Sequence, residues 1–240
     1  MTNKSQRKVA TIIMDSMTFD ILDPLFDANL LPKLKKINGT AFRSKFSSDI
    51  PLTAPAFVAM MTGKPPFESG FNDARSIDYD YNLCKRILAD KTIWHYLDES
   101  QIKVGMFNLP FISKVHPVNG FMTAGKNVSA DRDFTYPFNL KNEFFEIWEG
   151  KENYIGDLDK NLFRDKNSII ERVSYVNTKR TECAIHSIKK YRPDFFYGFF
   201  TETDKLLHIT FKSLIDLANG KDLGQLGDNL LSLLETLDNN

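Results

Sequence analysis

The six residues FFYGFF at Phe195–Phe200 form a short apolar run with no alternation of polar and apolar side chains. Such a run, rich in aromatic or β-branched residues, is typical of a strand that is buried on both faces of a parallel sheet. Two further runs, Val9–Met14 and Ile102–Phe107, have the same character. The sequence therefore predicts three buried parallel strands.

Helical patterns alternate with these strands. They cover Leu31–Ile37 before Asn38-Gly39, Pro55–Thr62 before Gly63, Lys91–Glu99, Ile169–Tyr191 before Pro193, and Asp228–Leu237. The alternation predicts an α/β fold, with a mostly parallel sheet flanked by helices. We expect residues 1–240 to form a single domain, with an irregular cap or insertion at about 119–167.

The composition excludes several classes of protein. Lysine and arginine number 31 and so do aspartate and glutamate, and this zero net charge argues against a nucleic-acid polymer as partner. The basic start of the chain and the apolar run Val9–Met14 stop at Asp15, so they predict no signal peptide. With no membrane span predicted and with two distant cysteines, Cys84 and Cys183, we expect a cytoplasmic protein with free thiols.

Three residues that could do chemistry follow predicted strands. Asp15 ends the first strand, and Asp204 comes shortly after Phe195–Phe200. Both are expected at the carboxyl edge of the sheet, where open α/β folds bind their ligands. His208 lies four residues after Asp204, so the two side chains can share one helix face and supply two ligands to Zn²⁺ or Mn²⁺. For an isolated pair of this kind, a solvated helix face is the competing interpretation.

Thr53 is the fourth candidate, because it stands where a helix is predicted to begin, with Pro55 in the first turn. The simpler interpretation is a threonine that caps the helix. The functional interpretation uses the same position, since the N–H groups of a helix start attract phosphate and a nearby metal ion favours the alkoxide of the hydroxyl. Both interpretations stay open from the residues alone.

The order of several segments resembles the alkaline phosphatase superfamily, and within it the type I phosphodiesterase/nucleotide pyrophosphatase-like group. The first four are Ile12–Asp15, Leu31–Leu34 with Gly39, Pro51–Phe57 and Thr62–Pro66. The later four are Thr92–Trp94, Phe107–Pro110, Pro117–Met122 and Phe200–His208. The resemblance is collinear from about Val9 to His208, which makes it more specific than any one motif.

The resemblance implies a metal-dependent phosphoryl-transfer hydrolase that acts on a small phosphate ester or phosphodiester. It implies that Asp15 binds one metal ion and that Thr53 is the nucleophile on that same ion. Asp204 and His208 would bind a second ion, and Zn²⁺ and Mn²⁺ both suit such ligands. Asn108 matches a strand-end position of the family, and we expect no catalytic role for it.

Two departures from the family pattern affect this expectation. Pro66-Phe67-Glu68-Ser69-Gly70 stands where the family commonly has Pro-x-x-His-Gly. The family also completes its two metal sites with an Asp-His-Gly segment and a later histidine, which the sequence to Asn240 does not contain. We therefore expect the N-terminal part of the fold, truncated at its C-terminus. The alternative is a catalytically weak or inactive remnant that at most binds a phosphorylated ligand.

The remaining candidates are weaker. A haloacid dehalogenase-like site with Asp15 as nucleophile would suit Thr18, but Met17 stands where that family has a second acid. His95 and His186 are expected to pack on helices, whereas His116 is placed in a loop where it could face a ligand. The acidic residues outside the predicted site are expected in solvated loops: Asp131, Asp133, Asp157 and Asp159. The aromatic residues between Phe134 and Trp148 suit packing on the sheet better than stacking on a nucleobase.

Overall fold

The structure is a computed structural model, and it describes residues 7–69, 91–112, 115–125, 129–156 and 166–240. The helices of these residues are α1 Phe19–Asp27, α2 Pro32–Thr40, α3 Thr53–Thr62, α4 Pro66–Ser69, α5 Ile93–Glu99, α6 Leu140–Ile147, α7 Lys166–Tyr191, α8 Glu202–Ala218 and α9 Gln225–Asn239. The strands are β1 Val9–Met14, β2 Val104–Leu109, β3 Gly120–Ala124, β4 Thr135–Tyr136 and β5 Phe195–Phe200. Gly70, Cys84, Asp157 and Asp159 lie outside the described residues.

The five strands form one sheet in the order β1-β5-β2-β3-β4. Strand β2 is parallel to both β3 and β5, with Val104 opposite Gly120 on one side and Phe195 on the other. Strand β1 runs in the direction of β5, because the Val9 N–H bonds the Asp194 carbonyl and the Asp15 N–H bonds the Phe200 carbonyl. Only β4, among the described strands, is antiparallel to its neighbour. The predicted α/β class with a mostly parallel sheet is thus confirmed.

The predicted strands and helices correspond closely to the observed ones. β1 and β5 have the predicted bounds, while β2 begins and ends two residues later than Ile102–Phe107. Gly63 ends α3 in the left-handed conformation, as a C-terminal glycine does. The predicted helix end at Asn38-Gly39 is wrong, because α2 continues to Thr40 and the helix accommodates a glycine at the modest cost that is usual inside a helix.

The range 119–167, expected to be an irregular cap, contributes directly to the sheet. It contains β3, whose last four residues are buried, and β4, followed by α6. Phe134, Phe144 and Trp148 are all buried. These aromatic side chains therefore pack in the interior, which is the interpretation that the sequence favoured over base stacking.

The chain divides into two compact units, and the first comprises Met1–Ile13, Phe46–Asp157 and Cys183–Phe199. Its core lies around the buried strand β2, and Trp94 is fully buried within it. The Phe57 ring of α3 meets the Phe199 ring of β5 edge to face, with 6.0 Å between the ring centroids. This contact fixes α3 against the sheet through aromatic packing.

The second unit comprises Met14–Lys45, Leu158–Glu182 and Phe200–Asn240. Helix α1 packs against α8, and α9 packs against α2 and α8. Leucine and isoleucine side chains fill the interior: Ile21 and Leu25 of α1, Leu206 and Leu214 of α8, and Leu230 and Leu233 of α9. Among the described residues, no helix is long and apolar enough to span a membrane.

We predict that Gly120→Ala destabilises the protein by about 3 kcal/mol, because a Cβ there would lie 2.0 Å from the Val104 carbonyl oxygen. Gly120 also has a φ of 134°, which L side chains rarely adopt. Urea unfolding measures the loss. The matched control is Gly39→Ala in α2, where an added Cβ would have no neighbour within 4 Å beyond the adjacent backbone of its own helix, and a gain of about 0.5–1 kcal/mol is expected. Equal effects of the two substitutions would contradict this account of the β2–β3 pairing.

Candidate functional site

The peptide of Asp15 is held on both sides at the corner where β1 and β5 end. The Asp15 N–H donates to the Phe200 carbonyl at 3.0 Å. The Thr203 hydroxyl donates to the Asp15 carbonyl at 2.6 Å, and Thr203 is only 2% exposed. The start of α8 is therefore tied to the end of β1, and the tie runs through the backbone of a predicted metal ligand.

Asp204 lies in the first turn of α8 and meets two further polar groups. The Ser16 hydroxyl donates to Asp204 Oδ1 at 2.6 Å. His208 Nε2 lies 3.4 Å from the same oxygen, and its side chain is 73% exposed against 19% for Asp204. The predicted sharing of one helix face by Asp204 and His208 is what the structure shows. Ser16 adopts a φ of 66°, a left-handed turn that brings its hydroxyl to Asp204.

A buried ion pair between Arg180 and Glu202 lies two residues before Asp204 in the chain. Arg180 of α7 donates through Nη1 to Glu202 Oε1 and, at 3.2 Å, to the Thr201 hydroxyl. The side chains of Arg180 and Glu202 are 6% and 1% exposed. Ser16, Thr203 and this pair did not emerge from the sequence. The segment Thr201-Glu202-Thr203 lies within the family motif Phe200–His208, but no local pattern in the sequence indicated Arg180.

Thr53 is the first residue of α3 and belongs to the first unit, whereas Asp15, Asp204 and His208 belong to the second. The N-cap residue is Leu52, whose apolar side chain makes no capping hydrogen bond. The interpretation of Thr53 as the N-cap is therefore off by one position.

Asn108 has a structural role at the end of β2. Its amide group donates to the Phe199 carbonyl at 2.5 Å, and its own N–H bonds the Thr123 hydroxyl at 2.7 Å. The residue is buried and has a φ of 57°, a conformation that asparagine tolerates better than most residues. These bonds tie β2 to both of its neighbours and explain the strand-end asparagine without a catalytic role.

His116, placed in a loop by the sequence, faces other side chains of the first unit. Its Nε2 accepts the indole N–H of Trp94 at 3.0 Å, and its ring stacks on that of His95 with 5.2 Å between centroids. His95 Nδ1 in turn meets the Thr92 hydroxyl, at 2.7 Å, in the cap of α5. Burial lowers the pKa of both histidines, and the neighbouring His95 lowers the pKa of His116 further.

The other polar candidates take part in surface ion pairs. Asp131 pairs with Lys151 at 2.6 Å, and Asp133 pairs with Lys141 at 2.8 Å. His186 meets a carboxylate oxygen of Glu143 at 2.6 Å. Lysine partners at both aspartates favour solvated loops over metal binding at these positions.

The profile of one family, described as Type I phosphodiesterase / nucleotide pyrophosphatase, matches residues 9–240. The chain belongs to this family. It is thereby a member of the alkaline phosphatase superfamily, as its motifs had indicated. The family supports a phosphodiesterase or pyrophosphatase, a hydrolase acting on small phosphate esters or nucleotides. Comparison with curated proteins and with solved structures gave no match.

The family is generally metal-dependent, and the donors fit a divalent cation in kind. Asp204 and His208 offer a carboxylate oxygen and an imidazole nitrogen on one helix face, which is the donor set that Zn²⁺ and Mn²⁺ accept. Within the part of the chain that the structure describes, no three His, Cys, Asp or Glu side chains are grouped closely enough to hold an ion. The geometry thus provides one pair of ligands, Asp204 and His208, on α8.

We predict that Thr203→Val destabilises the protein by about 1–2 kcal/mol, because the Asp15 carbonyl loses its buried donor while the side-chain volume is kept. Chemical unfolding measures the change. Thr210→Val is the matched control, since Thr210 is equally buried on α8 but bonds only the Leu206 carbonyl of its own helix. A loss in the control as large as that in Thr203→Val would show that the bond to Asp15 contributes nothing specific.

We predict that stability falls as the pH is lowered below about 6.5, because burial in the folded protein lowers the pKa of His95 and His116 from its usual value of about 6.5. Below that pH the two histidines bind protons more readily in the unfolded chain than in the folded one. Stability is therefore complete above that pH and decreases towards the folded pKa values. Denaturant unfolding at several pH values measures the slope.

The substitution His116→Gln tests the source of this slope, because glutamine can accept the Trp94 N–H without titrating. It should flatten the pH dependence below about 6.5. Asp98 acts on both histidines, whereas Glu99 and Lys91 act on His95, and all three residues are kept in the variant. An unaltered slope would show that other groups cause the dependence.

Proposed function

We propose that the protein is a metal-dependent phosphoryl-transfer hydrolase of the phosphodiesterase or phosphatase type, with Thr53 as nucleophile and Asp15, Asp204 and His208 as metal ligands. The family match over residues 9–240 carries this proposal. The corner of β1 and β5 supports it, because Asp15 is tied by its backbone to the helix turn that bears Asp204. The expected cofactors are two divalent ions, Zn²⁺ or Mn²⁺.

In the proposed reaction the Thr53 oxygen attacks phosphorus and forms a P–O bond, while the bond to the leaving-group oxygen breaks. The Thr53 hydroxyl gives its proton to solvent water, and the leaving alkoxide takes a proton from water. A second water then attacks phosphorus and breaks the bond to Thr53, which regains a proton. The product is phosphate from a monoester and a phosphate monoester from a diester. The bound ions would neutralise phosphate charge and lower the pKa of the hydroxyl. The start of α3 adds the positive end of a helix dipole next to Thr53.

The helix starts thus serve different purposes in this proposal. The start of α3 presents a hydroxyl and carries no acidic residue in its first turn, which suits an anionic substrate. The start of α8 carries Asp204 in its first turn, beside His208, which suits a cation. The substrate is proposed to be a small phosphate ester or phosphodiester, and the cytoplasmic location stays a prediction.

The test is hydrolysis of bis(p-nitrophenyl) phosphate and p-nitrophenyl phosphate with added Mn²⁺ or Zn²⁺. We expect slow turnover that EDTA abolishes. Thr53→Ala should lower it by about 100-fold or more, because the nucleophilic oxygen is lost. Thr53→Ser is the matched control and should retain a measurable fraction, since serine keeps a hydroxyl at the same backbone position.

Three outcomes would count against the proposal. Equal turnover in Thr53→Ala and the unchanged protein would remove Thr53 from the chemistry. Turnover that survives EDTA would remove the metal ions. Tight binding of phosphate without turnover in any metal would support the alternative, a module that binds a phosphorylated ligand.

A further inference from the structure

The start of α8 contains an ion pair that the proposed reaction does not use. The Arg180 guanidinium of α7 reaches both Glu202 and Thr201, the residues that lead from β5 into α8. Both charged side chains are buried, at 6% and 1% exposure. Among the described residues, Glu202 Oε2 has no hydrogen-bond partner, so the carboxylate is held through Oε1 alone.

Burying this pair is expensive, since two charges leave water and one carboxylate oxygen stays unsatisfied. Apolar side chains of similar volume would often fill such a space with equal or greater stability. The pair is therefore poorly explained by stability. What it does provide is a fixed position for residues 201 and 202 relative to α7.

The residues that follow Glu202 carry this position to the candidate ligands. Thr203, the next residue, bonds the Asp15 carbonyl, and Asp204 accepts the Ser16 hydroxyl. A shift of the first turn of α8 would therefore move Asp204 directly and Asp15 through its backbone. Supporting contacts of this kind orient metal ligands, and their loss commonly weakens metal binding about tenfold or more.

We propose that Arg180 and Glu202 are positioning residues, whose buried ion pair fixes the Asp15 and Asp204 corner for binding a divalent cation. The inference rests on the proposed function for the role of the cation, and on the structure for the positioning. Neither residue is a ligand here, because each is occupied by the other and is shielded from solvent.

The experiment compares Glu202→Gln and Arg180→Met with two controls in the full chain. Lys166→Met removes another polar link between α7 and α8, the 3.2 Å contact with Ser213, at a distance in sequence from the first turn of α8. Leu233→Ala removes a buried side chain of α9 and lowers stability without touching the corner. Circular dichroism establishes which variants are folded.

The first measurement is the exchange of the Asp15 amide hydrogen, which bonds the Phe200 carbonyl. We expect it to exchange about tenfold faster in Arg180→Met and Glu202→Gln than in either control. The second is titration with Mn²⁺ followed by electron paramagnetic resonance. The Kd for Mn²⁺ should rise about tenfold in the same two variants, with partial recovery in Arg180→Lys, which keeps the charge.

Unchanged exchange at Asp15 in both variants, or an equal change in the controls, would overturn the inference. If Arg180→Met does not fold, the exchange rate and the Kd for Mn²⁺ of the nearly isosteric Glu202→Gln variant test the inference by themselves. If the unchanged protein binds no Mn²⁺, the metal dependence in the proposed function is wrong. Exchange of the Asp15 amide hydrogen still tests whether the ion pair positions the corner.

Discussion

The geometry of the candidate site in the second unit depends on two hydrogen bonds, which hold the backbone N–H and the backbone carbonyl of Asp15. The N–H bonds Phe200 and the carbonyl accepts from Thr203, so the end of β1 cannot move without moving the start of α8. The partners of both groups come from a segment 185 residues or more away in sequence. One strand end and one helix start therefore behave as a single structural element.

This constraint explains why so many polar residues are buried at the beginning of α8. Thr201, Glu202, Thr203 and Lys205 are all buried, an arrangement that costs free energy unless each group finds a partner. An unsatisfied buried acceptor such as Glu202 Oε2 costs roughly 1–3 kcal/mol. Proteins keep such unfavourable groups where geometry matters more than stability, and the first turn of α8 is where the candidate carboxylate stands.

The fold could be predicted from the sequence where buried apolar runs end abruptly, as at Val9–Met14 and Phe195–Phe200. The predicted bounds of β2 were two residues too early, because the strand continues through Asn108. Its backbone N–H bonds Thr123 of β3 and its side-chain amide bonds Phe199 of β5. Helix α1 was not predicted, and Pro24 within it is a residue that normally interrupts helices. β3 was not predicted from the sequence. It begins at Gly120, which the strand needs because its backbone lies too close to the Val104 carbonyl for a side chain.

The candidate site was predictable to the extent that parallel strands end at one edge, which places Asp15 and Asp204 from strand bounds alone. Ser16 and Arg180 were not predictable, because one acts through a left-handed turn and the other lies on a separate helix. Two of the histidines differ in their surroundings, and the sequence alone did not show this difference. His116 is held by Trp94 and His95, so its ring is committed to packing. His208 keeps most of its ring in solvent, with Nε2 3.4 Å from an Asp204 oxygen. Packing thus accounts for the ring of His116 but not for that of His208, and only His208 agrees with the ligand role proposed above.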